Sequence, residues 1–200
     1  MTTRLAQALQ DDPTASAGLL VLRASIGLLI LGHAAQKTWG ALGGEGLTAT
    51  AAIFERVGYR PGRPMVVVAS ILELLAGALL IVGLLTTLAG ALLTAVMAVA
   101  CSAHWPRGLW AAHGGFELPL LFGVVAAALT LTGPGGWSLD AVVEPSLPPA
   151  TALVVLPLAL AAAIGAIALR SAGQAKTPSR SPRATPAPPL EKKHRPRHRP

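Results

Sequence analysis

Five runs of apolar residues, over about 17–37, 64–85, 88–104, 114–133 and 150–169, occupy about half of the 200-residue chain. A helix rises about 1.5 Å per residue and a bilayer's hydrocarbon core is roughly 30 Å thick, so a crossing needs about 20 such residues. Each run is read as one membrane-spanning helix, the third being the shortest. Only Thr86-Thr87 separates the second run from the third, too little chain to recross lipid, so these two helices form a tight hairpin. The runs are interrupted by charge at three places. Glu73 stands in 65–85 with no other charge around it, Glu117 lies one turn into the fourth run, and Arg23 lies in the first. An ionised group in hydrocarbon costs at least about 2.5–3.5 kcal/mol on insertion scales, so it normally faces protein and finds a partner. Three ionisable groups on three spans predict one shared polar site.

Between the first two runs lies the largest loop, 39–63. Within it Leu47, Ala51, Ile53, Phe54 and Val57 predict a short amphipathic helix on the membrane surface. Gly43-Gly44-Glu45-Gly46 reads as turn punctuation, since no strand precedes it and no P-loop Lys follows. The third run carries Gly90, Thr94, Met97, Cys101 and His104 at steps of four and three. That small or polar face either packs against another helix or lines a cavity. Gly27, Gly77 and Gly83 suit close helix packing elsewhere, as does the pair Ala161 and Gly165 on the fifth run.

Composition excludes an ordinary soluble globule: 52% of residues are hydrophobic, 12% are charged and mean hydropathy is +0.58, which leaves too little polar surface to wrap such a core. The sole cysteine, Cys101, excludes a disulfide framework, a CxxC motif or a cysteine metal site within one chain, and is expected to be a buried, inert thiol. His104 and His113 flank a loop at a spacing diagnostic of neither haem nor metal, and no metal site is predicted. No Ser-His-Asp array, metalloprotease helix or nucleotide fingerprint occurs.

The net charge of +7 is unevenly placed. Lys37, Arg56, Arg60 and Arg63 follow the first run and Arg107 follows the third, whereas 134–149 holds only Asp140 and Glu144. Nine more Lys and Arg residues, from Arg170 to Arg199, lie beyond the fifth run. Under the positive-inside rule the N-terminus is outside and the C-terminus cytoplasmic. Asp11-Asp12-Pro13 before a long apolar run reads as a mature span and not as a cleavable signal. The Pro-rich, basic segment 171–200 is expected to be a disordered tail that serves as a topology signal or attracts anionic lipid. Its charge, without aromatics, does not point to nucleic acid.

This topology gathers His33, Lys37, His104, His113 and Glu117 in the cytoplasmic half, with Glu73 roughly 13 Å in by helical rise and Arg23 nearer the outer side. The candidate buried polar network is Arg23, His33, Lys37, Glu73 and Glu117, with His104 and His113 as secondary members. Glu73 is too short and too deep to snorkel. It forms a salt bridge to Arg23 or Lys37, carries a proton, or hydrogen-bonds as the neutral acid.

Leu22-Arg23, the run Gly27-Leu28-Leu29-Ile30-Leu31-Gly32-His33 and Gln36-Lys37 together resemble the first helix of DoxX-family membrane proteins. Glu73-Leu74-Leu75-Ala76-Gly77 with Gly83-Leu84-Leu85-Thr86 resembles the second. Gly114-Gly115-Phe116-Glu117 and Gly133-Pro134-Gly135-Gly136-Trp137-Ser138-Leu139-Asp140 are similar to the family's fourth helix and closing motif. The resemblance covers about 18–140 and implies an all-α polytopic transmembrane bundle, with a four-helix DoxX-like core over 17–140. To this the chain adds a fifth transmembrane helix over 150–170, between an N-terminal segment 1–16 and the tail. The family includes the small subunit of a thiosulfate:quinone oxidoreductase. The resemblance therefore implies a bacterial plasma-membrane subunit supporting a redox process linked to sulfur or oxidative stress, at most a quinone-linked oxidoreductase subunit. Quinone is the implied cofactor, and a soluble oxidoreductase or sulfurtransferase at the cytoplasmic face is the implied partner. The alternative is a non-enzymatic scaffold, assembly factor or small-solute carrier whose buried charges are structural.

Overall fold

The computed structural model describes residues 12–143 and 147–175. Its helices are α1 (Pro13–Trp39), α2 (Gly46–Arg56), α3 (Gly62–Val82), α4 (Thr86–His104), α5 (Glu117–Thr132) and α6 (Ala152–Ala175), with short 3₁₀ turns between several of them. The protein is all-α, and no strand occurs among the described residues. All five apolar runs form helices. Four of them are long and apolar enough to cross a membrane, whereas α5 has 16 residues. At about 1.5 Å per residue α5 is roughly 24 Å long, so α5 and not the third apolar helix is the shortest. The difference comes from residues 105–116, which fold into two 3₁₀ turns and leave Glu117 to start the helix.

The chain forms α1 with Asp12 and Pro13 at its start. The Asp12 carboxylate accepts from the Thr14 N–H at 2.9 Å, satisfying a donor that the helix itself leaves open. One stripe of α1 is buried: Ser16, Arg23, Ile26, Gly27, Ile30 and Ala34. On α3 the buried stripe is Val66, Ser70, Glu73, Ala76, Gly77 and Leu80. Steps of three and four put each set on one helical face, and the two faces meet at glycine. A Cβ on Gly27 would lie 2.7 Å from the Gly77 carbonyl oxygen and from Ile81 Cγ1. Small residues let two backbones approach where lipid supplies no hydrophobic drive.

The second close pair is α4 with α5. A Cβ on Gly90 would stand 2.5 Å from Thr130 Oγ1, and one on Gly123 would stand 3.2 Å from Met97 Cβ. The hydroxyls of Thr94 and Thr130 donate to their own helices, at Gly90 and Ala126. The small and polar part of α4 over 90–97 is therefore a packing face and not a cavity lining. Between the pairs lies a core of Ile26, Ile30, Ala76, Leu80, Ala89, Leu93, Met97, Ala126 and Leu129. Large apolar side chains such as Leu28, Val68, Leu121, Val124, Leu153 and Leu158 are exposed around the outside. A water-soluble monomer does not present an apolar surface of this extent, and here it is the lipid-facing belt.

Helix α2 forms as the loop's pattern predicts, but it rests against α3 and does not lie free on the surface: Gly62 sits against the Ala51 carbonyl. Helix α6 packs chiefly on α4. Its Ala161 and Gly165 are both exposed, and nothing lies within 4 Å of a Cβ built on Gly165, so this small pair is not a helix-packing site among the described residues. Cys101 is free and only partly buried. The expected tail begins inside α6, which continues to Ala175, and its remainder lies outside the described residues.

Candidate functional site

The last turn of α1 brings Lys37 onto the stripe that faces α3. Its Nζ lies 2.5 Å from Glu73 Oε1, with the two side chains 27% and 2% exposed. This is the only ion pair among the described residues. A lysine at a helix C-terminus also meets the negative end of the helix dipole, so α1 itself favours the cation there. Beyond Lys37 the chain turns at Gly40, whose φ of 67° closes the helix in the left-handed region. Glu73 uses only one oxygen. Its Oε2 is buried without a hydrogen-bond partner, and so is the Ser70 hydroxyl, one turn earlier on the same face. A buried acceptor left unmade costs roughly 1–3 kcal/mol, more when charged. Oε2 and the Ser70 hydroxyl are therefore the two fully buried groups of this centre with hydrogen-bonding capacity to offer.

His33, one turn before Lys37, stands edge-on to Phe122 of α5, with ring centroids 5.8 Å apart. It joins α1 to α5 beside the ion pair.

Arg23 lies elsewhere. It is 14 residues before Lys37 on the same stripe, roughly 21 Å along the axis, and is 1% exposed. No carboxylate among the described residues forms an ion pair with it. Its guanidinium donates to the Trp137 carbonyl and, at 3.5 Å each, to the carbonyls of Leu80 and Ile81 at the end of α3. Gly83, with φ +68°, lies against that guanidinium, so a side chain there would collide with Arg23 and Ser138. The segment after α5 folds over this end. Gly136 N–H donates to Ser16 Oγ, Leu139 N–H to the Val82 carbonyl and Asp140 N–H to the Gly83 carbonyl. The Asp140 carboxylate accepts from the N–H groups of Leu85 and Thr86, at 2.6 and 2.8 Å. Asp140 thus caps α4 from 54 residues away, and Arg23 occupies the C-terminal end of α3. Both placements satisfy helix-end groups with the charge sign that the dipole favours.

Glu117 forms a third centre. Its Oε2 accepts from the Ala111 N–H at 2.9 Å, and its own N–H donates to the Leu109 carbonyl at 2.8 Å. Nearby, His104 Nδ1 is 2.9 Å from the Gly114 carbonyl, and Trp105 stacks on Phe116 at 4.8 Å. His113 ends the second 3₁₀ turn and is exposed. Glu117 and His104 therefore hold the 105–117 loop.

The expected single network is three centres. Lys37 and Glu73 meet, with His33 one turn away. Arg23 is at the other end of the bundle, and Glu117 binds backbone. Sequence reasoning did not give Asp140 and Ser70 site roles. For Asp140 the available signal was one acid closing a turn-rich segment; for Ser70 it was the three-residue step to Glu73. No group of three or more His, Cys, Asp or Glu suited to a metal occurs among the described residues.

Helix bundle, lipid-facing belt and buried ion pair together define a small polytopic membrane protein. A family model described as DoxX matches residues 18–114, so this part of the chain is a DoxX-family membrane domain. That match takes in α1 to α4 and ends just before Glu117, so α5, the segment 133–140 and α6 lie beyond it. No curated protein and no solved structure matches the chain.

Proposed function

We propose that this DoxX protein is a plasma-membrane subunit of a bacterial redox system, quinone-linked and serving sulfur or oxidative-stress chemistry, in which Lys37 and Glu73 handle protons. The supporting observation is a carboxylate buried in an apolar helix, ion-paired through Oε1 and unpartnered at Oε2. Such intramembrane acids mark proton and substrate paths more often than they serve stability.

A quinone, when bound, supplies an electron acceptor that takes up protons as it is reduced. The donor set suits its polar headgroup: Glu73 Oε2 accepts from a hydroxyl, and Ser70 Oγ donates to a carbonyl oxygen. Lys37 neutralises Glu73 and so keeps an anion tolerable in the bundle. Being partly exposed, Lys37 also links the buried carboxylate to the basic end, where protons exchange with water. Electrons come from a partner, because a chain with one cysteine has no dithiol of its own. A soluble oxidoreductase or sulfurtransferase docking at the cytoplasmic face fits this need. Lys37, Arg56, Arg60, Arg63, Arg107 and Arg170 all belong to the ends of helices and loops on one side of the bundle, which supports a cytoplasmic assignment for that side. The N-terminus is then outside. Purification in mild detergent, with mass spectrometry for co-purifying proteins and bound quinone, tests this reading.

A second reading is favoured by a different observation. Arg23, Asp140 and Glu117 all spend their charge on backbone groups that close the bundle's ends. If Lys37–Glu73 is one more such tie, the protein is a scaffold, assembly factor or small-solute carrier. Glu73→Ala then lowers abundance, and no redox partner is recovered.

A further inference from the structure

We propose a phosphate-binding site at the basic end of the bundle, separate from Lys37 and Glu73 and independent of the redox reading. A cleft of about 330 Å³ is lined by Arg56, Val57, Ala103, Pro106, Arg107 and Arg170. Three guanidiniums thus line one hollow and no carboxylate does. The end of α2, the turn after α4 and the end of α6 each contribute one.

Arg170 is held in place, and none of the three arginines is neutralised by a carboxylate among the described residues. Arg170 donates to Ser102 Oγ at 3.0 Å and lies over the Tyr59 ring, 5.2 Å from its centroid. Tyr59 and Ser102 are themselves joined, oxygen to oxygen, at 3.1 Å. This fixes the Arg170 head with a hydroxyl and a ring face, leaving its positive charge intact. Arg107 lies with Nη1 3.4 Å from His104 Nδ1. That ring nitrogen faces the Gly114 carbonyl at 2.9 Å, so it carries a proton and donates there, and it cannot accept from Arg107. Arg56 is exposed and has no ion pair among the described residues. Its neighbour Glu55 is turned to the Gly62 N–H, 3.1 Å away.

Three like charges around one hollow repel one another unless an anion lies between them. Planar guanidinium forks match a tetrahedral oxyanion, and phosphate in particular, by paired N–H···O bonds. The ligand is therefore a phosphate group, carried by an anionic lipid or by a soluble phosphate compound. The cleft's place at the ends of α4 and α6, level with the headgroups of a bilayer, makes both sources accessible.

The test uses the full purified chain and native mass spectrometry from nanodiscs. One arm contains phosphatidylglycerol in phosphatidylcholine, and the other contains phosphatidylcholine alone with added inorganic phosphate or pyrophosphate. Arg107→Gln and Arg170→Gln are compared with wild type, and a variant neutralising Arg195, Arg197 and Arg199 controls for the basic tail. Arg107 is exposed and keeps the test valid if Arg170→Gln fails to fold. The expected result is one retained anion per chain, with retention falling about tenfold in Arg107→Gln, the loss of a strong charge-assisted contact, and unchanged in the tail variant. Retention in the first arm assigns the site to lipid, and retention in the second assigns it to soluble phosphate. No retention in either arm, or retention that the tail variant loses and Arg107→Gln keeps, overturns the proposal.

Discussion

Lys37 Nζ lies 2.5 Å from Glu73 Oε1, joining the last turn of α1 to the middle of α3 through a carboxylate that is 2% exposed. The two partners are unequal in their surroundings. Lys37 is 27% exposed on a long stem and can swing its charge toward water, whereas Glu73 has nowhere else to put its own.

That inequality predicts unequal mutants. Lys37→Met strands a buried carboxylate and costs about 3–5 kcal/mol of bundle stability, less whatever Glu73 recovers by taking a proton. Glu73→Gln frees Lys37 to reorient and costs about 1–2 kcal/mol. The double variant Lys37→Met with Glu73→Met regains most of the loss. Unfolding in mixed detergent, arranged as a double-mutant cycle, measures the coupling.

The glycine crossing sets the distance across which that pair is made. Gly27→Ala places a methyl 2.7 Å from the Gly77 carbonyl oxygen, so α1 must move off α3, at about 1–3 kcal/mol. Gly165→Ala, with nothing within 4 Å, leaves stability unchanged. Thermal scans of the two variants separate packing glycines from spectators.

At the opposite end, Asp140→Ala removes both caps from the start of α4 and costs about 1–2 kcal/mol. Gly83→Ala is more damaging, because its Cβ collides with the Arg23 guanidinium and its φ is +68°. Neither change touches Lys37 or Glu73, so the proposed quinone binding per folded chain is expected to stay as in wild type. Hydrogen exchange of the Leu85 and Thr86 amides reports the loss locally.

Glu117→Gln keeps an acceptor for the Ala111 N–H and changes stability by less than about 1 kcal/mol. Glu117→Ala opens the 105–117 loop, which limited proteolysis detects. On the proposed redox reading, function follows Glu73 and is insensitive to Glu117→Gln.

Helices and a tight hairpin between the second and third runs were legible in the sequence because a membrane forces backbone groups to pair within each apolar run, although the turn lies at 83–85 and Thr86-Thr87 open α4. The partnership of Lys37 with Glu73 was legible as one of two options, since depth along each helix follows from a fixed rise. What pattern could not give is which acid or base prefers backbone. Arg23 reads in sequence as a mate for Glu73 and Asp140 as a loop charge, yet each serves a helix end whose open carbonyls or N–H groups form only once the chain turns. The short α5 was hidden for a related reason: 114–116 is apolar enough to join a span, but Gly114 has φ +74° and the Glu117 carboxylate is already committed to Ala111. Hydropathy records neither.

The most direct measurement is quinone content. Wild type and Glu73→Gln are purified from their native membrane in mild detergent, and bound quinone per folded chain is quantified by mass spectrometry. The account predicts a stoichiometric quinone in wild type that falls about tenfold in Glu73→Gln, as loss of a strong charge-assisted hydrogen bond implies. Equal quinone in both proteins, or none in either, contradicts it.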